Sequence, residues 1–318
     1  MLMLTDLMEA GGGSRSRFYG QPVNKSTTGL YLVGKPQNLV VLPSGTIINI
    51  ALSTSYAARS TDRGKTWSSV PIYAAGNYYS NAAVNGSGTI VSVCNNTNSA
   101  MYSTNDGVSW TGVSLTGTYN WYDCCYDAVN GKFIAIGGAP GASCAISATG
   151  QSWLAGGAMP SSNYWYNVGC VNGNTVSTVN QTATSTYAYS SNGGVSWVAK
   201  TFPVSINSTL IKVINGVMYV LGCNGSVNYC LRSIDGINWT TTILPVAGAP
   251  YGMDYGDGMF MFVGNSAGAP IYQTTDFLTW SSVASGMGSD YPMGIVFTAG
   301  RWIIGNSSTA ANIYSIGN

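Results

Sequence analysis

Two pairs of carboxylates stand at spacings that could hold a proton or a cation, Asp123 with Asp127 and Asp254 with Asp257. Asp123 and Asp127 flank a strand-like run whose alternate residues share a face, and Asp257 belongs to an Asp-Gly turn. Turn capping and solvated strand ends are the plainer roles for all four. The rest of the catalytic inventory is thin. With no histidine in the chain there is no Ser-His or Cys-His dyad, no imidazole base and no His metal site. Glu9 is the only glutamate. The seven cysteines, at 94, 124, 125, 144, 170, 223 and 230, lack the short paired spacing of a zinc site. Most fall in apolar runs, where a free thiol acts as a small buried hydrophobe, and their odd number fits that role. The expectation is no metal, no cofactor and no enzymatic activity.

Aromatic rings offer a second chemistry. Tyr78-Tyr79, Tyr119 with Trp121-Tyr122, Tyr164-Trp165-Tyr166, Tyr251 and Tyr291 recur along the chain, beside Asn77, Asn81, Asn120, Asn163 and Asn167. Rings with polar tips suit the apolar faces and hydroxyl edges of sugars, or a protein partner, because they bury large area at low entropic cost. The competing role is packing between neighbouring elements. Tyr78, Tyr79, Trp121, Tyr122, Tyr164, Trp165, Tyr166, Tyr251 and Tyr291 are therefore the candidate ligand or partner contacts.

The elements that carry them follow from an internal repeat. Trp67, Trp110, Trp153, Trp197, Trp239 and Trp280 succeed one another at 43, 43, 44, 42 and 41 residues. In step with them run tight turns at Ser44-Gly45, Asn85-Gly86, Asn130-Gly131, Asn172-Gly173, Asn215-Gly216, Asp257-Gly258 and Ala299-Gly300. Asn-Gly and Asp-Gly between apolar runs mark hairpins with type I′ turns. Each unit then has a hairpin, a third strand entering a polar turn, and a fourth strand starting at the Trp. Four short antiparallel strands at this period make one blade of a propeller. The expected fold is all-β: a seven-bladed β-propeller of four-stranded antiparallel blades over residues 18–318, after a leader at 1–17. The last unit lacks its fourth strand, and the Phe18 to Val33 segment, with strand-like Leu30 to Val33, has no repeat partner. That N-terminal segment is expected to complete the seventh blade, since open sheet edges are a liability.

Ser60-Thr61-Asp62-Arg63-Gly64-Lys65-Thr66-Trp67 resembles the Asp box of sialidases and related propellers, Ser-x-Asp-x-Gly-x-x-Trp. Ser103 to Trp110 and Ser190 to Trp197 keep the spacing with Asn105 and Asn192 in the Asp place, and shorter variants end at Trp153, Trp239 and Trp280, two of them with Asp235 and Asp276. The resemblance spans roughly residues 37–318 and implies a structural motif between third and fourth strands, away from any active site. Physical chemistry gives the same role: the side chain caps turn N–H groups, Gly permits positive φ, and Trp covers the hairpin base. Asp62, Asp106, Asp235 and Asp276 are thus not catalytic candidates. The sialidase activity the resemblance brings to mind would need a tyrosine activated by a glutamate and three arginines on the substrate carboxylate. Glu9 precedes the propeller, and of the six arginines only Arg301 lies in a second strand.

Charged residues are 7% of the chain, the net charge is +1, and hydrophobic residues are 45%. A neutral, hydroxyl- and amide-rich surface over a real core follows. No basic face exists for nucleic acid, no apolar run is long enough to span a bilayer, and Met1 to Met8, interrupted by Asp6, does not fit a signal peptide. This make-up is similar to bacteriophage virion proteins, tail and fibre components above all. The expected function is a non-enzymatic structural or receptor-binding propeller in a virion assembled in the host cytoplasm. It would dock other virion subunits through Met1 to Ala10, hinged at Gly11 to Gly13, and a cell-surface glycan is a second candidate partner. The alternatives are a sialidase-like glycoside hydrolase and an extracellular lectin.

Overall fold

Short runs of apolar and β-branched residues punctuated by Gly and Asn favour strands and tight turns. The computed structural model consists of them, with no helix among the described residues. These are residues 24–27, 39–50, 55–73, 78–95, 98–117, 120–138, 143–180, 182–306 and 312–317. The leader at 1–17 and Leu30 to Val33 lie outside them.

The strands pair antiparallel throughout. The first sheet is β2 (Leu39–Val41), β3 (Ile47–Ile50), β4 (Tyr56–Ser60) and β5 (Ser68–Pro71). The second is β6 (Tyr78–Val84), β7 (Ile90–Asn95), β8 (Ser99–Ser103) and β9 (Thr111–Ser114). The third is β10 (Asn120–Asp127), β11 (Lys132–Gly138), β12 (Ser143–Ser147) and β13 (Leu154–Ala155). A seven-stranded sheet follows: β14 (Trp165–Val171), β15 (Asn174–Val179), β16 (Thr184–Ser190), β17 (Val198–Ile214), β18 (Val217–Asn224), β19 (Val227–Ser233) and β20 (Thr240–Leu244). Its 17-residue β17 is both the fourth strand beside β16 and the first strand beside β18, so two four-strand groups share it. Next come β21 (Ala249–Gly256), β22 (Met259–Asn265), β23 (Ile271–Thr274) and β24 (Ser281–Val283). The last sheet is β25 (Pro292–Thr298), β26 (Arg301–Asn306) and β27 (Asn312–Ile316), with β1 (Asn24–Thr27) on its outer edge. There Asn24 stands opposite Ser315 and Thr27 opposite Asn312.

Packing connects successive sheets. Ile48 and Ile50 meet Ala82 and Ile90; Val91 and Val93 meet Trp121 and Phe133; the series continues until Val296 and Ile303 meet Leu39 and Ile47 of the first sheet. The first strands follow the same order, β2 beside β6, then β10, β14, β17, β21 and β25, which lies beside β2 again.

Type I′ geometry holds at four of the seven tight turns: Asn172-Gly173, Asn215-Gly216, Asp257-Gly258 and Ala299-Gly300 have positive φ at both residues. The other three are longer loops, a correction to the two-residue expectation. Their geometry is set by side chains: Asn85 Oδ1 accepts the N–H of Ser87 and Thr89, and Asp127 Oδ1 accepts those of Val129 and Asn130.

The polar turns before each Trp are capped from within. Ser60 Oγ accepts the Gly64 N–H at 2.8 Å, and Asp62 accepts the Thr66 N–H at 2.8 Å. Asn105 and Asn192 accept the Ser109 and Ser196 N–H groups, both at 3.0 Å, while Asp235 and Asp276 each accept two N–H groups at 2.8 Å. The fourth strand starts one residue after the Trp. Gly107, at φ 74°, also lets its turn lean on the preceding sheet, since a Cβ there would meet Ile48 Cδ1 at 2.5 Å. Asp106 faces away from its own turn to Arg59 at 2.7 Å. Burial by itself would raise Asp62, Asp235 and Asp276, but the turn donors outweigh it and hold each at about 2.

Replacing Asp62 by Ala should cost about 0.5–2 kcal/mol, as losing a side-chain cap does. Because the folded carboxyls titrate below the ordinary 3.8, their stabilisation is full above that value and is lost as pH falls toward about 2. Urea melts at pH 7 and thermal scans from pH 5 to 2 test both statements. An Asp62→Ala chain with the parent's midpoint and acid profile would contradict them.

Candidate functional site

Five first strands start with the same irregularity. In β10 the register passes from Trp121 opposite Gly137 to Asp123 opposite Ile136, which leaves Tyr122 as an extra residue. The same slip leaves Tyr166 in β14, Thr209 in β17, Tyr251 in β21 and Met293 in β25. These bulged positions recur at 44, 43, 42 and 42 residues. A bulge bends its strand and re-aims a side chain, and so splits each aromatic cluster into two populations. The residue before the bulge is buried in all five strands: Trp121, Trp165, Ser208, Pro250 and Pro292.

Trp121 and Trp165 are 0% exposed and fill the packing between sheets. As ligand contacts they are corrected; the reason is the alternation of the strand, which turns them away from the face their neighbours occupy. Tyr122 and Tyr166, on that face, are half-buried and stack with ring centroids 4.8 Å apart at 29°. Tyr164 joins them over Gly138, where a Cβ would meet Tyr164 Cδ1 at 2.9 Å and Tyr122 Cε2 at 3.1 Å. Tyr251 is half-buried and near enough to Tyr166 for their ionised forms to repel. Tyr291, 44% exposed, shares with Tyr164 the place two residues before a bulge. Tyr78 and Tyr79 open β6, whose register slips between Tyr79 and Ala82, and their rings lie outside the described residues, as does Tyr119.

Burial pushes the Tyr122, Tyr166 and Tyr251 hydroxyls above the ordinary phenol value. Neighbouring tyrosines add to the rise at Tyr122 and Tyr251, and Asp123 adds to it at Tyr166. All three stay protonated at neutral pH. They can donate hydrogen bonds and present ring faces, whereas a tyrosine nucleophile needs the opposite shift.

The carboxylates near this face serve the framework. Asp123 is 0% exposed; its Oδ1 accepts the Cys124 N–H at 2.7 Å and its Oδ2 the Val168 N–H on the neighbouring strand at 2.8 Å. The solvated strand end expected for Asp123 is therefore corrected to a buried inter-sheet bridge. Asn167, its repeat equivalent, donates to Ser208 O at 3.2 Å, and the Thr209 hydroxyl donates to Pro250 O. Asp254 Oδ2 accepts the Phe297 N–H at 2.8 Å. Sequence reasoning missed this polar seam, whose one trace was the polar residue after each Trp-Tyr pair. Cys125 and Cys170 form a disulfide between β10 and β14 with Cα atoms 6.3 Å apart, which corrects the free-thiol role for these two. Cys94, Cys124, Cys144 and Cys230 are buried thiols and Cys223 is half-buried. No group of three or more metal-ligating side chains occurs among the described residues.

No protein-family model and no curated protein matches the chain. Solved structures resemble it over nearly its whole length. Virginiamycin B lyase from Staphylococcus aureus superposes with a TM-score of 0.77 at 13% identity, covering 93% of this chain and 99% of that one. YCF48 bound to D1 peptide gives 0.68 at 13%, covering 93% and 95%. The Cps50 (Swd1) β-propeller domain of Myceliophteria thermophila gives 0.69 at 7%, covering 93% and 100%. At such identities the similarity concerns the backbone alone, and the fold it gives this chain is a β-propeller.

Proposed function

We propose that the chain is a non-enzymatic binding propeller of seven four-stranded blades, its ring completed by β1, and that it serves in a bacteriophage tail or fibre. The observation that carries the binding role is the cluster of protonated tyrosines lifted onto one face by successive bulges. Hydroxyl donors beside ring faces suit a hydroxyl- or amide-rich ligand, a surface glycan or a partner subunit. Propellers of this shape include a lyase as well as YCF48 and Swd1, so the fold does not choose between catalysis and binding. The chemistry of the face does favour binding: the chain has no histidine, Glu9 is its sole glutamate, and Asp123 and Asp254 are engaged by backbone N–H groups. The virion role rests on composition, 7% charged residues with Ser, Thr, Asn, Gly and Tyr in their place. Attachment to other subunits is assigned to the first 17 residues and the polar turns to the Asp-box class.

The test combines a glycan array, a panel of glycoside substrates and the variant Tyr122→Ala/Tyr166→Ala/Tyr251→Ala. Expected is saturable binding without turnover, weakened at least tenfold in the triple variant, which remains folded. Hydrolysis or elimination of any glycan by the purified chain would overturn the binding role. Imaging of native particles tests the virion role, and finding the chain soluble and alone in a cell without phage would end it.

A further inference from the structure

The first strands line a pocket of about 230 Å³ that is open to solvent. Every one of β2, β6, β10, β14, β17, β21 and β25 contributes to its wall, through Val40, Ala83, Val168, Ile211, Met253 and Val296 among others and through the Cys125–Cys170 disulfide. An engineered cavity of about 150 Å³ already admits benzene, so this space has room for a small apolar molecule. Among the described residues that line it, one is charged. Lys212, on β17, lines the wall with its Nζ 3.2 Å from Asp254 Oδ1.

That ion pair leaves the lysine chemically available. Asp254 also accepts the Tyr255 N–H at 3.0 Å and the Phe297 N–H at 2.8 Å, so two backbone dipoles share the holding of its charge. An ammonium carries three N–H donors, and Asp254 takes one of them. An apolar well with a single cation on its wall selects a ligand with an aliphatic body and one anionic group. The body gains by leaving water, and the anion finds a partner where an unpaired charge would be costly to bury.

We propose that this pocket among the first strands, the axial well, is a binding site for a small aliphatic carboxylate, with Lys212 receiving the carboxylate and the seven strands lining the space around its chain. The site is separate from the tyrosine face, and either proposal can fail without the other.

Octanoate, octan-1-ol and octylammonium, titrated calorimetrically into the intact chain, test it. Expected is one saturable site at which octanoate binds roughly tenfold more tightly than the alcohol, the worth of a charged hydrogen bond, and octylammonium does not bind. Lys212→Met should bring octanoate down to the alcohol's affinity and leave the alcohol unchanged. Val168→Phe should remove both. Should that variant not fold, Ala83→Leu fills the space from another strand, and nuclear Overhauser contacts from octanoate to the methyl groups of Val168, Ile211 and Val296 locate the ligand in the unmodified chain. No saturable binding, an octylammonium preference, indifference to Lys212→Met, or contacts only to surface methyls would each overturn the proposal.

Discussion

Deletion of residues 1–34 is expected to make the chain aggregate. β1 is the pairing partner of β27, Asn24 against Ser315 through Thr27 against Asn312. Its loss leaves the backbone of β27 as an open edge, and an unpaired edge is a template for a second chain. The damage extends inward, because Ile313, Tyr314 and Ile316 are at most 1% exposed and feed the packing on both sides of their sheet. Sheets joined by packing lose both neighbouring interfaces when one of them loosens. Size-exclusion chromatography and light scattering read the outcome, with a deletion of residues 1–17 as the control expected to remain folded. A 1–34 truncation as soluble and heat-stable as the parent would sink the closure by β1.

Trp165→Ala should cost about 3–5 kcal/mol, the range for emptying a large core site, while Tyr166→Ala, one residue along, should cost far less and act on binding. Trp165 is 0% exposed among Ile134, Ile136, Cys144 and Met159, and its indole N–H donates to Ser161 O at 3.1 Å. The half-buried Tyr166 stacks on Tyr122 at 4.8 Å and leaves no comparable void when cut back. Urea denaturation of the two variants side by side measures the difference. Equal losses, or a larger loss at Tyr166, would mean that the bulge does not separate a packing residue from a surface one. A chain that shrugged off Trp165→Ala altogether would contradict the placement of that ring.

Solved lyases and partner-binding proteins share this backbone, so the proposals for the tyrosine face and the axial well stand on side chains of this chain alone. The second prediction uses neighbours one residue apart whose roles differ. That distinction was beyond a reading of composition and spacing, which placed Trp121, Tyr122, Trp165 and Tyr166 in one class.

What the sequence by itself determined was the local hydrogen bonding. Strand order, the four-strand unit and the polar turns follow from Trp spacing, from Asn-Gly and Asp-Gly pairs, and from Ser and Asp or Asn at fixed offsets, because each of those signals acts within a few residues of itself. Asp62 capping Thr66 and Asn172-Gly173 at positive φ are such local outcomes. Tertiary structure alone decided whatever depended on strand register or on a residue of another sheet. The register slip that lifts Tyr122 and Tyr166 but buries Trp121 and Trp165 depends on pairing with β11 and β15. The bridge from Asp123 to Val168, the disulfide from Cys125 to Cys170 and the reach of Lys212 to Asp254 join residues on adjacent sheets. A carboxylate or a thiol has the same identity in sequence whether its partner is water or the next sheet, and only the arrangement of sheets about the axis fixes which one it meets.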